Sequence, residues 1–143
     1  MRDLSIIAHA YALNAEFARK FNEAVLNLKR RYLLKRAVTG EAEAAVGKSR
    51  DELRALLDSL VIALEDEGKP WSADQAQIPA DLVGALRKRV KGELPETTAE
   101  LQRVAGDLAG GSALDETAFA VLDQVCEAAD AVTSAAFRRL RRI

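Results

Sequence analysis

Residues 42–49 read AEAAVGKS, with Gly47, Lys48 and Ser49 spaced as a relaxed phosphate-binding loop would have them. The reading of these eight residues separates two fold classes. A Walker-type loop follows a β-strand, and its glycines let successive backbone amides wrap a phosphate. Here the preceding 35 residues carry helical periodicity, and the loop interior would be Glu43, Ala44, Ala45 and Val46. Those side chains, one of them acidic, would stand where phosphate belongs. No upstream strand and no strand-borne acid for magnesium is in sight. The stretch is expected to connect two helices. Gly47 then ends a helical turn, Lys48 is solvated, and Ser49 with Glu52 forms a capping box for the next helix.

Working outward, the pattern on both sides is helical. Before the connector, Leu4, Ile7, Tyr11, Ala18, Phe21, Val25, Leu28 and Tyr32 recur at three- and four-residue steps. Asp3 is expected to cap this helix and Thr39-Gly40 to end it. After the connector, Leu53, Leu56, Leu57, Leu60, Val61 and Leu64 share a face until Gly68 and Pro70. A linker containing Trp71 follows. Pro79 sits where a helix start tolerates proline, ahead of Leu82, Val83, Leu86 and Val90. A fourth helix starts near Pro95 or Thr97, runs along Leu101, Val104 and Leu108, and ends at Gly110-Gly111. The last starts at Leu114 or Asp115, with Phe119, Leu122, Val125, Ala129, Val132, Ala136 and Leu140 inward. No period-two pattern appears. The expected fold is all-α: one domain over residues 1–143, a bundle of about five helices whose first and last are long.

Composition agrees. Of 143 residues, 49% are hydrophobic, 30% charged and only 5% aromatic, as in globular helical proteins. The lone Cys126 allows neither an internal disulfide nor a cysteine-based zinc site. Residues 4–15 are uncharged, but Asp3 precedes them and twelve residues are too few to span a bilayer. A cytoplasmic protein without a membrane partner is expected.

Little in the chain announces chemistry. His9 is the only histidine, and its neighbours in IIAHAYAL are apolar, so a phosphotransfer role lacks a steadying cation. A di-iron bundle needs two Glu-x-x-His pairs, which one histidine cannot supply. His9 is expected in the helix seam or at its edge. Cys126 sits among Asp123, Glu127 and Asp130, which raise a thiol's pKa, so it is expected to pack in the core. Every serine triad would have to use His9. The reading is therefore of a protein with no catalytic residues, no cofactor and no metal.

Two surfaces suggest partners. The helix after the connector has about 18 residues, roughly 27 Å, and folded back it reaches only to about residue 20 of the longer first helix. The stretch left over, residues 4–18, is apolar around most of its circumference. Leu4, Ile6, Ile7, Ala10, Tyr11, Leu13 and Phe17 are thus expected to form an interface with a second copy or another protein. The alternative is nucleic-acid binding through three basic helix ends: Lys29, Arg30, Arg31, Lys35 and Arg36; Arg87, Lys88 and Arg89; and Arg138, Arg139, Arg141 and Arg142. Against it, positive charge in last turns complements the helix macrodipole. Residues 2–38 also hold eight bases against three acids, and residues 41–67 three against eight, so neighbouring helices balance each other.

Overall fold

In a computed structural model the chain is all-helical, with α1 (Arg2–Tyr32), α2 (Gly40–Glu65), α3 (Ala80–Arg89), α4 (Leu94–Ala109) and α5 (Glu116–Arg141). The structure describes residues 2–33, 40–65, 78–89 and 94–142, the side chains of Arg2, Asp3, Ala42, Arg89 and residues 94–97 excepted. The expected stop at Val38 and the linker around Trp71 lie outside the described residues.

α1 and α5 form the antiparallel spine. Lys29 Nζ meets Asp123 Oδ1 at 2.7 Å, Asn22 Nδ2 donates to Asp130 Oδ1 at 3.0 Å, and Tyr11 packs on Phe137. As residue numbers fall along α1, their partners rise along α5. α2 folds back on the other side of α1 and also carries α4, while the short α3 seats on α5 and on the end of α2. Phe21, Leu28, Leu53, Leu57, Leu60, Leu64, Leu101, Val104 and Leu122 close the core between them. On α1 the buried positions are 14, 17, 18, 21, 24, 25 and 28, the stripe that a 3.6-residue period dictates.

Two corrections concern helix starts. Asp3 does not cap α1, because the helix already includes Arg2. More consequentially, Gly40 opens α2 instead of closing α1, and α2 is one helix of 26 residues. The whole of AEAAVGKS is helical. Its amides serve the helix, so no amide cradle exists there. Gly47 does not end a turn, and a Cβ on it would meet nothing within 4 Å. Gly47 costs this helix about 1 kcal/mol relative to alanine. The packing of Val46, Ser49, Arg50 and Leu53, all buried, offsets that local signal.

The other termini follow local rules. Asp115 caps α5, its Oδ1 accepting from Ala118 N at 2.8 Å. α4 ends at Gly110-Gly111, where Gly110 N bonds Gly106 O at 2.9 Å and Gly111 takes φ +75°. That left-handed conformation suits glycine and lets Ser112 N reach Asp107 O. Pro79 sits just outside α3, where its carbonyl accepts from Leu82 N and Val83 N.

α2 and α4 have no basic residue in their last turns. Each borrows an arginine from another helix. Arg87 of α3 donates to Ala63 O at 2.9 Å at the end of α2. Arg50 of α2 donates to Asp107 O at 2.7 Å and Leu108 O at 3.1 Å at the end of α4, and its other nitrogen reaches the Tyr32 hydroxyl. Free carbonyls carry the negative pole of a helix, and a guanidinium forks across two of them.

Candidate protein-interaction surface

The α1 start is a poorly covered helix end. Leu4 is 41% exposed and Ile6 65% exposed, while Ile7, Ala10, Tyr11 and Leu13 are half-buried. Phe17 is not part of this face: it is 2% exposed and stacks on Phe21 with ring centroids 5.4 Å apart. The cause is the length of α2. At 26 residues it runs about 39 Å, well beyond the 27 Å expected of the shorter helix, so it follows α1 farther back. The apolar stretch left open shrinks to the first three turns of α1.

α5 adds a residue that sequence reasoning missed. Phe137 is 44% exposed and packs against Tyr11, with centroids 5.7 Å apart and ring planes tilted by 45°. A signal existed: Phe137 falls one position off the stripe through Ala129, Val132 and Ala136, so a large aromatic was pointing away from the core. Arg141 stands over its ring, Cζ 5.9 Å from the centroid, a cation–π arrangement at the border of the patch.

The three basic clusters do not all converge: those of α3 and α5 meet at Lys88 and Arg139, and that of α1 lies apart. Because α5 runs antiparallel to α1, Lys29 lies level with Asp123, roughly 22 Å along the axis from Arg138. Lys29 is engaged by Asp123, and Arg31 pairs with Glu43 of α2 at 3.0 Å. Arg30 is exposed, and Lys35 and Arg36 lie outside the described residues. Arg87 is committed to the end of α2. Lys88 shares a groove of about 370 Å³ between α3 and α5 with Arg139. The Arg89 side chain is outside the described residues. Arg138, Arg139, Arg141 and Arg142 are exposed, and none forms an ion pair among the described residues.

The residues with chemical potential elsewhere are scattered. Ser49 is no helix cap. It is 5% exposed inside α2, and its Oγ accepts from Asn27 Nδ2 of α1 at 3.1 Å. With Lys48 it lines a cavity of about 420 Å³ that also holds Arg19, Lys20, Glu23 and Glu52. Two of its bases are engaged by carboxylates, since Glu16 takes Arg19 at 3.1 Å and Lys20 at 3.4 Å and Arg19 also meets Glu23, while Lys48 is exposed. The Arg19 hydrogen bond holds the Glu16 carboxyl below its ordinary pKa. His9 is exposed on α1, outside the seam. Cys126 is buried as expected, its thiol pushed up to about 12 by burial, with Asp123 and Asp130 adding to the shift. Among the described residues no group of His, Cys, Asp and Glu is placed to hold a metal ion, and no helix is long and apolar enough to cross a membrane.

No family model, curated protein or solved structure matches the chain.

Proposed function

We propose that the protein is a non-catalytic assembly or adaptor subunit that binds another protein chain through the open end of the α1–α5 spine. The exposure of Leu4 and Ile6 at the same end of the spine as the Tyr11–Phe137 pair carries this reading. Single exposed apolar residues need no explanation, and Leu26, Leu33 and Ile62 are such cases, whereas exposed residues of two helices gathered at one end are what interfaces use. Aromatic residues and arginine, both present here, are enriched at such contacts. The nucleic-acid reading is weakened, since the α1 cluster lies at the opposite end from the α5 cluster, which Lys88 of α3 joins, and Lys29 and Arg31 have partners in the fold.

The test is site-specific photo-crosslinking in cells, with a benzophenone amino acid at position 6 or at Arg54, an exposed residue of α2. Cross-links to protein are expected from position 6 and absent from position 54. A chain that sediments as a monomer and gives no adduct from position 6 would refute the proposal.

A further inference from the structure

We infer that the occupant of this open end is an acidic amphipathic helix of another protein, and not a second copy of the chain. The inference rests on the interaction reading above and deepens it. Its basis is charge. Residues 137–143 contain four arginines and no acid, in a chain whose net charge is −1. Those arginines directly flank Phe137, and Arg141 lies over its ring. A twofold contact centred on Phe137 would bring two such sets together, and like charges facing across an interface oppose association. At the same end of the bundle, exposed Glu65 belongs to α2, which packs chiefly on α4 and α1 and not on α5. It sits across α1 from the arginines, and Asp81 of α3, which lines a groove with Arg139, accepts from Asn14 Nδ2 at 3.0 Å.

Elsewhere in this fold arginines already read negative helix features. Arg50 and Arg87 each grip the carbonyl end of a neighbouring helix. The α5 arginines have the same chemistry and no such partner among the described residues. A helix with leucines at three- and four-residue spacing would cover Ile6 and Phe137. Its glutamates, or its carboxyl-terminal carbonyls, would meet Arg138 and Arg142.

The experiment uses the full chain and two labelled helical peptides of about 18 residues. Both carry one leucine stripe; one has glutamates and the other lysines at the remaining positions. Fluorescence anisotropy at about 50 and 200 mM salt reads binding. The glutamate peptide is expected to bind, more weakly at the higher salt, and the lysine peptide not to bind. Arg138→Glu with Arg142→Glu is expected to weaken binding at least about tenfold at low salt, and Ile6→Ser to weaken it at both salts. All three positions are exposed, so circular dichroism and the melting temperature should match wild type.

Equal binding of both peptides, or binding of neither, overturns the inference. So does a dimer dispersed by Ile6→Ser, although that result upholds the interaction reading. Phosphatidylserine vesicles and a single-stranded RNA of about 20 nucleotides are run alongside. Arginine-dependent binding to either of these, without binding to the glutamate peptide, also overturns it. A monomer that binds no peptide and gives no cross-link from position 6 removes both readings together.

Discussion

The two ends of the α1–α5 spine contain similar basic residues and use them in opposite ways. At the closed end, where α1 finishes and α5 begins, each polar group near the core meets a partner from another helix. Lys29 holds Asp123, Arg31 holds Glu43, Asn27 holds Ser49, and Arg50 ties Tyr32 to the last carbonyls of α4. At the open end Leu4, Ile6 and Phe137 are in contact with solvent, and four arginines have no acidic partner among the described residues. Basic last turns therefore say nothing definite alone. The same charge is spent on the fold at one end and left on the surface at the other, according to which helix packs beside it.

The contrast breaks most sharply under apolar truncation. Phe21→Ala empties a fully buried site and should cost about 3–5 kcal/mol, while Ile6→Ala should change stability by less than about 0.5 kcal/mol. Urea denaturation of both variants measures this. A large loss at Ile6 would mean that the α1 start is held by the fold and not open to a partner.

A smaller effect separates the arginines. Arg50→Met keeps most of the side-chain volume but strips donors from two α4 carbonyls and the Tyr32 hydroxyl, and should cost about 2–3 kcal/mol. Arg138→Met should be nearly neutral in the same denaturation experiment. Comparable losses would erase the distinction between the two ends.

The smallest effect sharpens the reading of α2. Ser49→Ala leaves Asn27 Nδ2 without its acceptor and should cost about 1 kcal/mol. A Ser49→Ala/Asn27→Ala double-mutant cycle should show the two losses to be non-additive. Had Ser49 been a helix cap, the same loss would appear but would not depend on Asn27. Additive losses would restore the cap.

How much was legible follows from where each signal resides. The all-α class, an α5 start at Leu114 or Asp115 and the α4 stop at Gly110-Gly111 were readable in the chain, because periodicity and helix ends depend on residues within one or two turns of each other. The start of α2 was not. Gly40, Gly47 and the Ser49–Glu52 pair are all ordinary helix-boundary signals, and each is worth only about 1 kcal/mol. Burying Val46, Ser49 and Arg50 against α1 and α4 outweighs them, and no local window contains those partners. The surface was legible in part. Leu4 and Ile6 were found from the apolar circumference of α1. Phe17 was misplaced because the length of α2 was, and Phe137 was missed because its contact with Tyr11 spans nearly the whole chain.

By itself, then, the sequence determined that this protein is helical, where α4 stops and α5 begins, and most of the residues that face inward, since these depend on propensity and period. The tertiary structure decided which end of the spine is closed, which bases are consumed by the fold, and which apolar side chains remain at the surface. Those outcomes depend on antiparallel pairing and relative helix length, which set distances between residues a hundred positions apart.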